Sequence, residues 1–236
     1  MPHSSFPYDG LAVVIGAGGG VGAALCARLQ ATGHFADVIG LSRHSAPPVD
    51  LTDEASIEVA ALHIGQRNQA LRLVIDATGF LHGNGFMPEK SLRHLDPAHM
   101  AHAFAINAVG PALLMKHFLP LLPKKGKSVF ATLSARVGSI GDNRLGGWHS
   151  YRASKAALNQ FVRCAAIELA RSKPDAICIA LHPGTVDTQL STSFAKTGLD
   201  VRPTEQAAAE IIEVIERLNR EDSDGFFDHK GAAIPW

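Results

Sequence analysis

The stretch Leu11-Ala-Val-Val-Ile-Gly16-Ala-Gly-Gly-Gly-Val-Gly22 joins an apolar run to a cluster of glycines, and a helical pattern follows directly. Glycine permits a tight turn and lets backbone amides approach a phosphate, which the positive end of a helix dipole also attracts. A strand, a glycine turn and a helix in this order are typical of the opening of a nucleotide-binding βα unit. A flexible glycine loop is the alternative interpretation, and the position between strand and helix favours the phosphate site.

Apolar runs alternate with amphipathic stretches along the rest of the chain, which predicts βαβ units and a parallel sheet. The predicted strands cover residues 11–15, 37–41, 71–75, 127–133 and 176–181, with a short one around Phe226; the predicted helices cover 53–68, 96–122, 150–171 and 204–218. Asp96-Pro97 is a good helix start, because aspartate caps and proline fits the first turn. We expect an α/β fold, a Rossmann-like doubly wound parallel sheet with helices on both faces, in one domain over residues 1–236.

The composition, 46% hydrophobic and 19% charged, fits one soluble domain. Lysine plus arginine equals aspartate plus glutamate at 22 each, so we expect neither nucleic acid nor an anionic membrane as a partner. No secretory signal or membrane span is visible, and a cytoplasmic location is the expectation. The 12 histidines are scattered, which predicts no metal site. Cys26, Cys164 and Cys178 lie in apolar surroundings, which suits reduced thiols packed in a core.

A second chemical pattern is Tyr151-Arg-Ala-Ser-Lys155, which places a phenol and an ammonium one turn apart in a predicted helix. Residues at i and i+4 share a helical face, so the Lys155 charge can lower the pKa of Tyr151 from its usual ~10. Tyr151 is therefore a candidate general acid or base. Such pairs also occur on solvated helix faces, so the interpretation depends on a cofactor site nearby.

The end of the second predicted strand indicates which cofactor fits. An acidic residue there binds the ribose 2′-hydroxyl of NAD, whereas a basic one accommodates the 2′-phosphate of NADP. This chain has Ser42-Arg43 with no carboxylate nearby, and a guanidinium forms charge-assisted bonds to phosphate. The sequence therefore predicts NADP(H) in preference to NAD(H). A solvated arginine after a strand is the alternative.

Gly16, Gly20 and Gly22, taken with Tyr151 and Lys155, resemble the short-chain dehydrogenase/reductase family, whose pattern is Gly-x-x-x-Gly-x-Gly early and Tyr-x-x-x-Lys late. The resemblance covers nearly the whole chain, since further family marks appear in order: Asp50-Leu51, Asn107-Ala-Val-Gly110 and Pro183-Gly-Thr-Val-Asp-Thr188. Within the family the chain is similar to the C-factor-like group, on the marks Gly138-Ser-Ile, Gly146-Gly147-Trp148 and Pro235-Trp236.

The resemblance implies a set of cofactor contacts. Adenine would lie against Asp50 and Leu51, and the nicotinamide carboxamide against the segment that ends at Thr188. The implied cofactor-binding residues are Gly16, Gly20, Val21, Gly22, Ser42, Arg43, Asp50, Leu51, Ala77, Thr78, Gly79, Asn107, Tyr151, Lys155, Pro183, Gly184, Val186 and Thr188. Asp76-Ala-Thr-Gly79 departs from the family's Asn-Asn-Ala-Gly.

The resemblance also implies a mechanism, in which hydride passes between nicotinamide and the carbonyl carbon of a small molecule, or its alcohol, while Tyr151 passes a proton. Lys155 would bind the ribose hydroxyls and lower the pKa of Tyr151. Asn107 would hold a water that links Lys155 to solvent, a role that needs a distorted helix. A buried amide with a backbone partner is the alternative for Asn107.

The family serine that polarises the carbonyl belongs three residues before Gly138, where this chain has Ala135. A one-residue offset on a regular strand turns a side chain to the opposite face, so Ser134 reaches the site only if the strand end is bulged or curling. We hypothesise that Ser134 or Ser139 takes the role.

Two functions remain open at this point. The first, which we favour, is an NADPH-dependent carbonyl reductase; the second is a cofactor-binding regulatory or signalling protein with little turnover, suggested by Ala135 and by the group's association with intercellular signalling. The resemblance implies a homodimer or homotetramer. Trp236 either clamps a neighbouring subunit or packs locally. The segment Gln189–Arg202 would supply pocket walls through Leu190, Phe194 and Leu199, and further candidate walls are Phe86, Met87, Trp148 and His149.

Overall fold

The computed structural model describes residues 4–188 and 201–236, in which strands and helices alternate. The first half of the chain contains β1 (Leu11–Ile15), α1 (Gly20–Thr32), β2 (Asp37–Leu41), α2 (Glu54–Gly65), β3 (Leu71–Asp76), α3 (Pro97–Phe104) and α4 (Gly110–Phe118), with a π-helical turn over Ala105–Val109. The second half contains β4 (Ser128–Leu133), α5 (His149–Ser172), β5 (Ala176–His182), β6 (Thr185–Val186), β7 (Val201–Arg202), α6 (Thr204–Arg217) and β8 (Phe226–Asp228).

Six strands form a parallel sheet in the order β2-β1-β3-β4-β5-β8. The chain runs from β1 to the edge strand β2 and then crosses back to β3, so the strand order reverses between β1 and β3. In open α/β sheets, ligands bind outside the carboxyl ends of the strands at this reversal. The predicted Rossmann-like, doubly wound α/β fold is confirmed.

Helices cover both faces of the sheet, and β1 shows how. Val13 and Ile15 enter an apolar layer that α2, α4 and α5 complete, with Ile57, Leu114, Phe118, Leu158 and Val162. Ala12 and Val14 enter the opposite layer, which α1 and α6 complete with Leu25, Leu29, Ile211 and Ile215. Because successive strand residues point to opposite faces, a strand buried on both sides is apolar throughout. This is why β1 reads as a continuous apolar run.

The predicted helix over residues 96–122 differs most from the structure. Its start is confirmed, since the Asp96 side chain accepts hydrogen bonds from the backbone amides of Ala98 and His99. The span is then divided into α3, the π-helical turn and α4, and it closes with a 3₁₀ turn over Leu119–Leu121. A π-helical turn adds one residue within a helix, which apolar periodicity does not reveal.

The same span, Pro97–Leu121, is long and apolar enough to cross a membrane by length and composition. This is weak evidence, because the core helix of a soluble protein passes the same test. Leu114, Met115 and Phe118 pack in the apolar layer beneath the sheet.

Among the cysteines, Cys178 is buried and Cys26 is half-buried, but Cys164 is exposed on α5. The prediction of a core position is therefore wrong for Cys164.

Candidate active site

The glycine turn lies where the strand order reverses. Gly16 has φ +87°, and a Cβ there would come within 3.0 Å of the Ala77 carbonyl at the end of β3. Both the backbone conformation and the close approach therefore require glycine. The amides of Gly20, Val21 and Gly22 belong to the first turn of α1, and the N-cap, Gly19, contributes no side-chain hydrogen bond. This helix end therefore has the amides and the dipole that attract an anion.

The segment that follows β5 returns to the same turn. A Cβ at Gly20 would lie 3.4 Å from Cγ2 of Thr188. Gly184 has φ +79°, and a side chain there would collide with the Arg202 guanidinium. Val186 is buried and belongs to β6, which pairs with β7. The structure thus brings Pro183, Gly184, Val186 and Thr188 to the edge of the sheet where the glycine turn lies.

The residues predicted to hold the adenosine half border this edge too. Ser42 follows β2 beside the turn, since a Cβ at Gly18 would lie 3.6 Å from the Ser42 Cβ. Arg43 is exposed. Hydrogen bonds from the Thr52 hydroxyl and amide lower the pKa of Asp50, and the charge of Arg43 adds to this effect. The structure therefore places the Asp50 carboxylate near Arg43, although the sequence shows no carboxylate beside Ser42-Arg43.

Leu51 packs against the start of α4, where a Cβ at Gly110 would lie 2.6 Å from the Leu51 Cβ. Glycine at this position allows the helix to approach the loop after β2. The predicted pair Asp50 and Leu51 therefore lies between the cleft and the helical span that carries Asn107.

Helix α5 carries Tyr151 and Lys155. Lys155 is 2% exposed, and its Nζ donates a hydrogen bond of 2.8 Å to the carbonyl oxygen of Leu133. The loop after β4 approaches closely because residue 138 is glycine; a Cβ there would lie 2.8 Å from the Lys155 Cβ. The ring of Tyr151 meets Trp148 edge to face, with centroids 6.3 Å apart. Lys155 thus lies near the carboxyl end of β4, and Tyr151 precedes it by one turn on α5.

Burial governs the titration of both groups. Burial raises the pKa of Tyr151 to about 12 and lowers the pKa of Lys155 to about 8, and the charge of Asp76 opposes the second shift. The prediction that Lys155 lowers the pKa of Tyr151 is therefore wrong for this structure. Loss of water around the phenol raises the pKa of Tyr151, and the Lys155 ammonium donates its hydrogen bond to Leu133.

Asn107 lies in the π-helical turn and is fully buried. Its Oδ1 accepts a hydrogen bond of 2.7 Å from the Phe80 amide, and its Nδ2 donates to the Phe80 carbonyl at 2.8 Å and to the Ser154 hydroxyl at 3.1 Å. The helix is distorted here, as the water-relay hypothesis requires. The side-chain amide itself has the backbone partner that the alternative predicted.

Asp76 ends β3 and is 1% exposed. Its Oδ1 accepts hydrogen bonds from the Thr78 amide and hydroxyl at 3.0 and 2.6 Å, and its Oδ2 accepts one from the Thr132 hydroxyl at 2.6 Å. Burial raises the pKa of Asp76, against these hydrogen bonds and the Lys155 charge. Sequence reasoning treated Asp76 only as a departure from the family. An acidic residue that closes an apolar strand was the signal available.

Both candidate serines have protein partners. Ser134 is buried, and its hydroxyl donates a hydrogen bond of 2.6 Å to Oδ1 of Asn159. Its amide donates to the Leu181 carbonyl, so the β4–β5 ladder continues through Ser134. The Ser139 hydroxyl donates to the Pro235 carbonyl and accepts from the Asp142 amide. The choice between the two serines stays a prediction.

The expected pocket walls are described in part. Phe86 stacks on His99 with ring centroids 4.9 Å apart, and Trp148 contacts Tyr151. Leu190, Phe194 and Leu199 lie outside the described residues.

Trp236 stacks on Phe226, with ring centroids 5.6 Å apart, and its carbonyl oxygen accepts a hydrogen bond from the Gly141 amide, which is local packing within the subunit. Within residues 4–188 and 201–236, no group of three or more His, Cys, Asp or Glu could hold a metal ion.

Comparison with known proteins places this geometry in a family. A family model described as enoyl-(acyl carrier protein) reductase matches residues 19–216. The chain is 34% identical to 1-hydroxy-2-glutathionyl-2-methyl-3-butene dehydrogenase of Rhodococcus sp. (strain AD45) over 190 residues, 80% of this chain and 79% of that protein. It is 36% identical to C-signal of Myxococcus xanthus over 147 residues, 62% of this chain and 84% of that protein.

Solved structures with the same fold include two carbonyl reductases. NADPH-bound carbonyl reductase from chicken fatty liver matches with a TM-score of 0.83 and 26% identity, covering 97% of this chain and 99% of that one. Carbonyl reductase Sniffer of D. melanogaster matches in fold with a TM-score of 0.82 and 20% identity, covering 98% of this chain and 100% of that one. The chain therefore belongs to the short-chain dehydrogenase/reductase family of oxidoreductases.

Proposed function

We propose that this protein is an NADP(H)-dependent oxidoreductase that acts on a small-molecule carbonyl or alcohol, with Tyr151 as general acid or base. The observation that carries the proposal is that two predicted catalytic side chains meet beside Gly79. A Cβ at Gly79 would lie 3.7 Å from both Asn107 Oδ1 and Lys155 Nζ. Gly79 follows β3, beside the glycine turn. Asn107 and Lys155 therefore approach each other beside the turn that has the features of a dinucleotide site.

The residues present fit such a cofactor. Gly16 allows close backbone approach, the uncapped N-terminus of α1 suits the pyrophosphate, and exposed Arg43 suits a 2′-phosphate. Asp50 and Leu51 would border adenine, Lys155 would bind the ribose hydroxyls, and the segment from Pro183 to Thr188 would hold the carboxamide. A bound nicotinamide supplies the hydride chemistry.

The protein itself supplies the proton that the reduction of a carbonyl requires. A phenol with a pKa of about 12 keeps its proton at neutral pH, so Tyr151 is ready to donate to a carbonyl oxygen. The reverse direction, oxidation of an alcohol, uses the phenolate as general base. Asn107 would support proton return through a water held at the π-helical turn, where a distorted hydrogen-bond ladder exposes backbone groups.

Relatives support a carbonyl or alcohol substrate. The similar chicken liver protein is a carbonyl reductase with NADPH bound, and the similar Rhodococcus protein is a dehydrogenase of an alcohol. The alternative, a regulatory protein with little turnover, has one point in its favour: Ala135 stands where the family has its serine, and the two nearby serines have other partners. The comparisons do not favour that alternative.

The test is NADPH oxidation by the purified protein across aldehydes, ketones and quinones, with Tyr151→Phe beside the wild type. We expect turnover to fall by about 100-fold or more in this variant, because general acid catalysis contributes about that much. The chain has two tyrosines, and exposed Tyr8→Phe is the matched control. Retained turnover in Tyr151→Phe would refute the assignment. NADPH binding with no turnover on any compound would support the regulatory alternative.

We also propose a homodimer or homotetramer that pairs through α4 and α5. Exposed apolar residues on this side include Val109, Phe161 and Ile167. Burying such side chains between subunits is favourable at about 25 cal/mol per Å². Light scattering on the wild type and on Phe161→Glu would test this, since a charge at a buried contact should shift the protein toward the monomer.

A further inference from the structure

Glu89 lies in the loop between β3 and α3, before the 3₁₀ turn over Leu92–His94, and it is 3% exposed. Its carboxylate accepts a hydrogen bond of 3.1 Å from the Ser150 amide and another from the Ser150 hydroxyl. Its Oε1 also lies 3.2 Å from Nδ1 of His99 in α3. One buried carboxylate thus joins the loop to α3 and to the first turn of α5.

The backbone of Glu89 contacts the same turn. Its carbonyl oxygen accepts a hydrogen bond of 2.5 Å from the Trp148 amide. Trp148 has φ +49°, a left-handed conformation that is rare for a bulky side chain, and Gly146 and Gly147 before it are left-handed as well. Strained backbone persists where its surroundings hold it in place. Glu89 therefore fixes the entry to α5 from two sides, through its carbonyl at Trp148 and its carboxylate at Ser150.

The carboxylate also serves as a remote cap. The first turn of a helix has amides without intrahelical partners, and the Trp148 side chain does not cap α5. A negative charge at this end is favoured by the helix dipole. Although burial opposes it, the hydrogen bonds from Ser150 and the charge of His99 hold the pKa of Glu89 below its usual range. The group is thus ionised at neutral pH.

We propose that Glu89 is a positioning residue, which sets the place of the Tyr151 hydroxyl and of the Trp148 ring in the active site. The proposal rests on the proposed role of Tyr151 in proton transfer. Tyr151 directly follows Ser150, so any movement of the first turn of α5 moves the phenol. A displacement of about 1 Å at a reacting group can lower a rate about 100-fold.

Glu89 also contacts residues that are expected to line the substrate pocket or that pack against such residues. Phe86, three residues before Glu89 in the loop, stacks on His99, whose Nδ1 contacts the carboxylate. Trp148, bound to the Glu89 carbonyl, contacts the Tyr151 ring. Two aromatic side chains of the expected pocket and the proton donor are therefore linked to one buried residue, Phe86 through His99 and Tyr151 through Ser150.

The experiment compares Glu89→Gln, Glu89→Asp and the control Glu58→Gln, whose residue is exposed on α2. Glutamine keeps the size but replaces one acceptor oxygen by an amide that cannot accept from Ser150. We expect Glu89→Gln to lower kcat by about 10- to 100-fold, because a small displacement of the Tyr151 hydroxyl from its reacting position costs about this much in rate. NADPH affinity should stay within about twofold, whereas the substrate KM should rise as kcat falls, because Phe86 and Trp148 are expected to line the pocket. Glu89→Asp, which retains the charge, should recover part of kcat.

A second readout does not need turnover. Trp148 and Trp236 are the two tryptophans, so emission in a Trp236→Phe background reports on Trp148. We expect Glu89→Gln to shift this emission and to increase its quenching by acrylamide, and Glu58→Gln to leave both unchanged. If the wild type shows no turnover on any carbonyl compound, the proposed function fails, and the Trp148 emission still decides the positioning role.

Three results would overturn the proposal. The first is a Glu89→Gln variant with wild-type kcat, whatever its emission. The second is Trp148 emission that does not change. The third is a fall in kcat that only follows the fraction of folded protein, measured by circular dichroism at the assay temperature, since that would show a purely structural role.

Discussion

Nζ of Lys155 donates a hydrogen bond of 2.8 Å to the carbonyl oxygen of Leu133, the last residue of β4. The bond ties α5 to the carboxyl end of a central strand. Burial strips water from the ammonium and lowers the pKa of Lys155 to about 8, while the charge of Asp76 offsets part of that shift. Protonation of the Lys155 amine is therefore less favourable in the folded protein than in the unfolded chain.

This predicts a pH-dependent stability for Lys155→Met. The folded pKa of Lys155 is about 8 against a model-compound value of 10.5, so the unfolded chain binds more protons between these limits. Stability from this group therefore rises with pH across that window. The variant lacks the rise, so we expect the free energy of unfolding of the wild type minus that of the variant to increase from pH 8 toward pH 10.5.

Urea unfolding at several pH values measures this difference. Exposed Lys230→Met is the control and should show a difference from wild type that does not change with pH. A flat profile for Lys155→Met would mean that the ammonium keeps its water in the folded state.

The second prediction concerns Asp76→Asn, which removes a buried charge and keeps the side-chain size. Because the Asp76 carboxylate raises the pKa of Lys155, its loss should lower that pKa further. Lys155 would then lose its proton at a lower pH. We expect the alkaline limb of the kcat/KM profile and of NADPH affinity to move to lower pH. The control Asp96→Asn, at the N-cap of α3, should leave the alkaline limb at the same pH. If the limb does not move in Asp76→Asn, the group that titrates in it is not Lys155.

The third prediction concerns Ser134→Ala, in which a fall in kcat of about 100-fold, the usual loss for one donor to a reacting carbonyl oxygen, requires that the hydroxyl leaves Asn159 and turns to the substrate. The substitution should also lower the free energy of unfolding by about 1 kcal/mol, because Asn159 loses its hydrogen bond. Steady-state kinetics and urea unfolding measure the two effects separately. Unchanged turnover with reduced stability would limit Ser134 to its contact with Asn159, and Ser139→Ala would then test the other candidate.

The fourth prediction is that Arg43→Ala weakens NADPH binding by about 10- to 100-fold and leaves NADH binding unchanged, because a charge-assisted bond to the 2′-phosphate is lost. Arg43 is exposed, so the fold should not suffer. Fluorescence titration with both cofactors measures the preference, and exposed Arg93→Ala is the control. Equal losses for NADPH and NADH would contradict the assignment.

The strands could be predicted because each is an apolar run of the right length. β1 and β2 have the bounds that the sequence predicts, Leu11–Ile15 and Asp37–Leu41. The glycine turn was predictable for a related reason, since Gly16 serves a local backbone need that the sequence shows. The distortion at Asn107 was implied by the family resemblance rather than by periodicity, and it is present as the π-helical turn.

The site could be predicted less well, because its partners are far apart in the chain. Nothing near Asn107 indicates that its amide binds Phe80, and nothing near Glu89 indicates that its carboxylate binds Ser150. The pKa of Tyr151 shows the same limit. The spacing to Lys155 predicts a lower value, but desolvation is a property of the whole fold, and it raises the pKa.

The π-helical turn over Ala105–Val109 sets the rotational phase between α3 and α4. An α-helix advances by about 100° per residue, and a π turn contains one residue more than an α turn. Removing that residue would leave a continuous helix but rotate α3 by about 100° relative to α4. His99 would swing away from Glu89 while Phe118 stayed in the core. One additional residue thus lets a single helical span present one face to the sheet and a different face to the active site.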